Sequence, residues 1–268
     1  LKSLSKQLAL KYAHNELVSE QDLKTVGGAL WSALSVDDAL EQSINDAGVA
    51  VLPIIINSPN AAIQHLPWET LCHPSHGFIG RENRFTLSRR LKGAPSFQAP
   101  LEKGPLRVLL FTSITEDQQR LDIEQEQAQV QEALLPLIAA GQVQLEMPDD
   151  GRLSTFKRFI HEQKPHLVFI SGHGHFRGRD RHPNLEQDHA SFLFEAESGP
   201  DSNEVEGKTL SEAFIGSGVQ CLVLSACQSG QSASDDLTAG LMQQLALAGL
   251  PHVIGMRESI LDLAGIRF

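Results

Sequence analysis

Short apolar runs of strand length alternate with amphipathic helical segments through the second half of the chain. The run Arg107–Ser113 predicts a buried strand, and the Gln/Glu-rich segment Glu116–Ala140 predicts a long helix with one apolar face. Further strands are expected at Gln142–Met147, Leu167–Ile170, Ser191–Glu195, Val219–Leu224 and His252–Met256, and further helices at Leu153–Gln163, Leu210–Ile215 and Asp235–Ala248. This order predicts an α/β fold, with a mostly parallel sheet and helices on both faces.

The first part of the chain has a less regular pattern. Residues 3–34 have helical spacing, Gly48–Asn57 and Arg84–Arg90 predict strands, and Gln64–Cys72 predicts a turn into a short helix. Residues 92–106 contain three prolines and two glycines and are interpreted as a linker. We therefore expect a smaller α/β half at 1–91 and a second half at 107–268. Because the chain begins with Leu1 and ends at Phe268 in what resembles the start of a helix, we expect a fragment whose second half is truncated.

Composition narrows the class of protein. The sequence is 41% hydrophobic and 21% charged, which is typical of a globular protein, and its net charge of −11 does not favour direct contact with nucleic acid. Neither a membrane-length apolar run nor a secretory leader is evident. The three cysteines, Cys72, Cys221 and Cys227, do not form a disulfide framework and favour a reducing compartment. We expect a cytoplasmic protein without a membrane segment.

Two of the predicted strands end in small-residue turns that carry a reactive side chain. The run from His166 leads through Ser-Gly to His173, and the run from Cys221 leads through Ser-Ala to Cys227. Open α/β sheets place their chemistry just beyond the carboxyl ends of the strands. If the two strands are neighbours, a thiol and an imidazole meet there. An imidazole can take the thiol proton and later return it to a leaving amine, as a thiol protease requires.

The residues around both turns are small. Gly172 and Gly174 are interpreted as leaving room for a peptide backbone, and the backbone amides of Gly174 and Cys227 are candidates for an oxyanion hole. His175 is the competing base. A metal site formed by His173, His175 and Cys227 is the other alternative, but no CxxC or HExxH spacing supports it, so we expect neither metal nor cofactor. Cys227 could also be a core thiol, which is our interpretation of Cys221, whereas Cys72 is interpreted as structural.

The segment Ser225-Ala226-Cys227-Gln228-Ser229-Gly230, with His173 placed 54 positions before the cysteine, is similar to the caspase signature. Together with Leu66–Leu71 (LPWETL) and Gly249–Asp262, these motifs resemble those of CHAT domains over residues 20–268. CHAT domains are bacterial caspase-like proteases associated with tetratricopeptide repeats and are more distantly related to separase.

The resemblance implies a caspase-like sheet, a Cys–His dyad and endopeptidase activity on a protein partner. It also implies a degenerate, protease-like first half that braces the second. Such domains often follow a sensor or repeat module in bacterial defence systems, including CRISPR-linked ones.

The resemblance places Ser225 in the substrate pocket, because in caspase-like proteases the residue two before the nucleophile lines it. A basic substrate residue would then need a carboxylate from elsewhere in the chain. Asp262 is one candidate, whereas Asp235 and Asp236 are better interpreted as the cap of a helix. The loops Ser113–Gln118 and Arg177–Ala190 would shape the groove. The alternative function is an inactive CHAT-like scaffold that binds a protein partner.

Overall fold

A computed structural model describes residues 2–14, 16–95, 103–115, 123–177, 189–199, 201–226 and 240–256. The chain divides into two compact units, unit 1 at Leu1–Lys92 and unit 2 at Gly93–Phe268. The functional division of the sequence, with a linker at 92–106 and a protease-like first half, stays a prediction. Among the described helices, none combines the length and apolar character that a membrane crossing requires.

Unit 1 combines helices with two small pairs of strands. Its helices are α1 (Lys2–Ala13), α2 (Glu20–Leu34), α3 (Asp37–Ala47) and α4 (Ala61–Gln64), and its strands are β1 (Leu52–Asn57), β2 (Cys72–His73), β3 (Gly77–Phe78) and β4 (Phe85–Arg90). Strands β1 and β4 pair in parallel, and β2 and β3 pair antiparallel. Short 3₁₀ helices at Trp68–Thr70 and Ile79–Arg81 contribute buried side chains to the core of this unit.

The helical segment predicted over residues 3–34 is interrupted before Ser19. The Ser19 side chain accepts from the Asp22 amide while the Asp22 carboxylate accepts from the Ser19 amide, which forms a capping box at the start of α2. Lys11 of α1 donates to the same carboxylate at 2.8 Å. Together, the hydrogen bonds from Lys11 and Ser19 lower the pKa of Asp22 to about 2. The cap therefore also fixes the contact between α1 and α2.

The Leu66–Leu71 segment (LPWETL) is a structural brace within unit 1. The indole of Trp68 is buried and donates to the carbonyl of Ile63 at 2.8 Å. Glu69 forms an ion pair with Arg89 of β4, and Arg89 also donates to the carbonyl of Gln64 at 3.0 Å. This segment consequently ties the end of α4 to strand β4.

Unit 2 is built on a five-stranded parallel sheet among the described residues. The described strands of the whole unit are β5 (Leu106–Thr112), β6 (Val143–Glu146), β7 (Leu167–Ser171), β8 (Gly174–Arg177), β9 (His189–Glu195), β10 (Ser202–Glu206), β11 (Cys221–Ser225) and β12 (His252–Gly255). Its described helices are α5 (Ile123–Ala139), α6 (Leu153–Gln163), α7 (Gly207–Glu212) and α8 (Leu241–Leu247). The order in the parallel sheet is β12-β11-β7-β5-β6, and helices flank it. This architecture is that of a caspase-like α/β fold, as the sequence predicted.

A three-stranded antiparallel sheet, in the order β10-β9-β8, follows β7. The sequence indicated β9 but neither β8 nor β10, so the described residues that flank the expected loop Arg177–Ala190 contain more strand than predicted. Residues 178–188 of that loop lie outside the described residues. Strand β9 contributes Phe192 and Phe194 to the core, where Phe194 contacts Phe111 and Phe156. The antiparallel sheet is therefore fixed to the parallel sheet by a shared aromatic core.

Candidate active site

Three hydroxyl side chains lie in one row at the carboxyl ends of neighbouring strands. Thr112, Ser171 and Ser225 end β5, β7 and β11, and the register pairs Thr112 with Ser171 and Ser171 with Ser225. Ser171 is buried, and the other two are half-buried. The strand order reverses between β5 and β7, because the chain passes from β5 outward to β6 and then returns to β7. Crevices at such reversals are the usual ligand sites of open α/β sheets.

Helix α5 begins above this row and supplies two polar side chains to it. The carboxylate of Glu126 accepts a hydrogen bond from the Ser171 hydroxyl on one oxygen and from the Ser225 hydroxyl on the other. The next residue, Gln127, donates to the Thr112 hydroxyl at 3.0 Å. One helix turn therefore contacts the ends of three strands. Glu126 is half-buried at this position.

The turn after β7 is tightly packed at Gly172. Its N–H donates to the carbonyl of Ser225 at 3.2 Å, which extends the link between β7 and β11 beyond the last paired residues. A Cβ atom added at Gly172 would lie 2.7 Å from Phe192 Cζ and 3.0 Å from the Ser113 carbonyl oxygen. The space that the sequence assigned to substrate beside Gly172 is therefore occupied by the protein itself. Glycine is required here by packing.

His173 lies at the turn between β7 and β8 and is half-buried. Its carbonyl accepts from the Leu193 amide at 2.9 Å, so residues 173 and 193 form a hydrogen-bonded pair of the antiparallel ladder. Because such pairs alternate along the ladder, the next residue, Gly174, directs its N–H away from β9. His175, the competing base, lies inside β8 opposite Ser191. The choice of His173 over His175 stays a prediction.

Two of the predicted site residues, Cys227 and Asp262, lie outside the described residues, as do Asp235 and Asp236. Ser225, predicted to line the substrate pocket, is the last residue of β11. Ala226 follows it and is buried.

Glu126 is the polar residue that the sequence did not single out. It is one of several acids in a Gln/Glu-rich helix, and no local spacing distinguishes it from its neighbours. The feature that could have identified Glu126 is its position in the first turns of the helix that follows β5.

Cys221, the described cysteine of unit 2, is poorly suited to nucleophilic attack. Cys221 begins β11 and is half-buried, and its burial raises the pKa of its thiol. A raised pKa keeps the thiol protonated near neutral pH, whereas the thiolate is the nucleophile. Cys221, interpreted from the sequence as a core thiol inside the strand, is instead the half-buried first residue of β11. Cys72 lies in β2 of unit 1 and is also half-buried.

A group of potential metal ligands, Glu41, His73 and His76, occurs among the described residues of unit 1. Nδ1 of the buried His73 accepts from the backbone amides of Ser75 and His76, at 3.0 and 3.1 Å. A neutral ring with an accepting Nδ1 carries its proton on Nε2, which lies 3.5 Å from Asp37 Oδ1. Neither nitrogen then offers a lone pair to a metal, so this histidine is better explained as part of the fold.

The five-stranded parallel sheet flanked by helices gives the described part of unit 2 a caspase-like α/β fold. A family model for the CHAT domain matches residues 24–268, and the chain belongs to this family. CHAT domains are protease-like, and the resemblance drawn from the sequence is confirmed.

Comparison with curated proteins gives no match. Among solved structures, protein GSU0716 from Geobacter sulfurreducens is similar at 14% identity and a TM-score of 0.29. The match covers 47% of this chain and 52% of that protein, so the chain spans about half the length of this solved structure. A likeness this distant carries no argument about function.

Proposed function

We propose that this protein is a cysteine endopeptidase in which Cys227 is the nucleophile and His173 is the base. The observation that carries the proposal is the register between β7 and β11. Ser171 lies opposite Ser225 in adjacent parallel strands, and each serine precedes one member of the proposed dyad by two residues. A thiol and an imidazole that leave neighbouring strands at the same level are suitably placed to exchange a proton.

In the proposed mechanism His173 takes the thiol proton and the Cys227 thiolate attacks the carbonyl carbon of the scissile peptide bond. The C–N bond then breaks, and the imidazolium returns the proton to the leaving amine. Water, deprotonated by the same imidazole, hydrolyses the thioester to a carboxylic acid and regenerates the thiol. This sequence of steps requires no metal or cofactor.

The negative charge on the carbonyl oxygen needs backbone donors, for which we propose the amides of Gly174 and Cys227. The ladder between β8 and β9 supports the first assignment. Because Leu193 bonds to His173, the N–H of Gly174 is directed away from β9 rather than into the ladder. A fixed amide of this kind stabilises charge without reorganising during the reaction.

The substrate in this proposal is a protein, and a sensor or repeat module, in the same chain or in a complex, controls access to the site. The setting we propose is the bacterial cytoplasm, within a defence system that includes CRISPR-linked types. What supports these assignments is membership of the CHAT family together with the acidic, cysteine-poor sequence.

The test compares Cys227→Ala, His173→Ala and Cys221→Ala in the full-length protein. We expect the first two changes to lower cleavage of the partner protein by about a thousandfold or more, as is common when one member of a catalytic unit is lost. Cys221→Ala is the matched control, because it removes a thiol six positions earlier in the chain, and it should keep cleavage. Undiminished cleavage by Cys227→Ala would contradict the proposal. Absence of cleavage and of Cys227 labelling, with the sensor module engaged, would favour the scaffold function.

A further inference from the structure

Glu126 places a carboxylate between the ends of the two strands that lead to the proposed dyad. Each of its oxygens accepts one hydroxyl, from Ser171 and from Ser225. A carboxylate oxygen has two acceptor positions, so each keeps capacity for a further donor. Within the described part of the chain, no Lys, Arg or His pairs with this carboxylate, and the described ion pairs of unit 2 are Arg158–Glu162, Arg177–Glu204 and His189–Glu206. Glu126 is thus a fixed negative charge without a described counterion.

The two hydroxyls orient this charge. Ser171 is buried and its strand is fixed on both sides by β5 and β11. Ser225 is paired with Ser171 at the end of β11, which lies between β7 and β12. A carboxylate held by two donors on rigid strands has a defined direction in which its remaining lone pairs point. Charge-assisted hydrogen bonds, above all from a guanidinium, depend on such a fixed geometry.

We propose that Glu126 forms the floor of the substrate pocket and selects Arg or Lys immediately before the cleaved bond. This inference rests on the proposed function, since the pocket is defined by its distance from Cys227. Ser225 precedes Cys227 by two residues, and two residues of extended chain span about 7 Å at most. A long basic side chain bridges such a distance, with its peptide carbonyl at the thiol and its charged end at Glu126. In this arrangement the carboxylate of Glu126 contacts the charge of the substrate, and the Ser225 hydroxyl orients that carboxylate.

The competing explanation is that Glu126 is only a latch between strand ends. The strands are already joined there by their ladder and by the bond from the Gly172 N–H to the Ser225 carbonyl. A glutamine at 126 would preserve a hydrogen-bonding latch, because its amide oxygen accepts and its nitrogen donates. Selection of a cationic substrate, by contrast, needs the negative charge. The change Glu126→Gln therefore separates the two roles.

The experiment uses peptidyl acyloxymethyl ketones that alkylate the catalytic thiol, in pairs of similar length that differ in whether the residue next to the ketone carries a positive charge. One pair carries arginine or citrulline, and the other carries lysine or norleucine. The labelling rate of Cys227 is measured by mass spectrometry in the full-length protein, its Glu126→Gln variant and a matched control, Glu132→Gln. Glu132 is an exposed acid of the same helix α5, so its change removes the same charge at a different face.

We expect native protein and Glu132→Gln to react with the arginine probe about 10- to 100-fold faster than with the citrulline probe, as one charge-assisted pair supplies. Glu126→Gln should lose most of that preference, because its rate with the arginine probe falls far more than its rate with the citrulline probe. Equal rates for both probes in native protein would overturn the inference and leave the proposed function intact. An equal loss with both probes in Glu126→Gln would assign a structural role. Failure of every probe to label Cys227, together with absent cleavage, would contradict the proposed function itself.

Discussion

Ser171 and Ser225 lie opposite each other at the ends of adjacent strands and donate to different oxygens of one carboxylate, that of Glu126. The two serines are 54 positions apart in the sequence, the same separation as His173 and Cys227. Each strand thus delivers a hydroxyl to the shared carboxylate before it delivers one of the proposed catalytic groups. The pairing of the two serines and the proposed dyad therefore both depend on the register between β7 and β11.

This arrangement predicts that the serine hydroxyls contribute to the stability of unit 2 through Glu126. Ser171→Ala or Ser225→Ala should each lower the free energy of unfolding by about 1–2 kcal/mol, because a hydrogen bond to a charged acceptor is lost. In a Glu126→Ala background either change should cost at least about 0.5 kcal/mol less. Hydrogen exchange of the β7 and β11 amides measures this coupling in unit 2. Strictly additive effects would show that the hydroxyls act independently of the carboxylate.

Gly172→Ala should disturb both stability and the position of His173. The new methyl group would meet Phe192 and the Ser113 carbonyl, and overpacking of this kind costs about 1–3 kcal/mol. Shortening the neighbour with Phe192→Leu removes the ring atom nearest the methyl group. The double variant should therefore be more stable than the sum of the two single effects predicts. Hydrogen exchange of β7 and the rate of Cys227 labelling measure the two consequences, and a double variant at the additive value would contradict this packing explanation.

The strands of the parallel sheet could be predicted because continuous apolar runs such as Leu167–Ile170 indicate burial on both faces. Strands β8 and β10 could not, since GHFR and SNEVE are short and polar and are held by pairing with β9. The need for glycine at position 172 could not be predicted from the sequence either, because Phe192, which fills the space beside it, is 20 positions away. The hydroxyl at Ser225 was identified, but its carboxylate partner comes from a helix 99 positions earlier.

Cys221 should react slowly with a small alkylating agent in the folded protein. Burial raises its pKa, so a higher pH is needed to form the thiolate than in the unfolded chain. The folded state holds the Cys221 proton more tightly than the unfolded chain does. The contribution of this thiol to the free energy of unfolding is therefore fully present below the unfolded pKa and is lost as pH rises through the folded pKa. Iodoacetamide labelling of Cys227→Ala against pH, folded and in urea, measures the difference, and superimposable profiles would contradict it.

The adjacent glycines of α2 provide a matched pair in unit 1. A Cβ at Gly27 would lie 1.7 Å from the Thr70 carbonyl oxygen, whereas a Cβ at Gly28 meets nothing within 4 Å. Gly27→Ala should therefore destabilise unit 1 by about 2 kcal/mol or more through overpacking. Gly28→Ala should stabilise it by about 0.5–1 kcal/mol, because alanine restricts the unfolded chain and favours the helix.

Tryptophan fluorescence measures both variants cleanly, since the two tryptophans of the chain, Trp31 and Trp68, are buried in unit 1. Similar changes in the stability of unit 1 for Gly27→Ala and Gly28→Ala would show that α2 does not depend on close approach to Thr70.

The contacts of Trp68 and Glu69 have a consequence for how related chains are recognised. Both residues make these hydrogen bonds inside unit 1, with Ile63 and Arg89, and therefore contribute to the fold of this unit. The Pro-Trp-Glu signature is thus a marker of architecture, whereas the thiol and the imidazole are markers of the proposed chemistry. A sequence that keeps the signature but replaces the residue at 173 or 227 would keep the architecture of unit 1 while lacking one of the two groups of the proposed dyad.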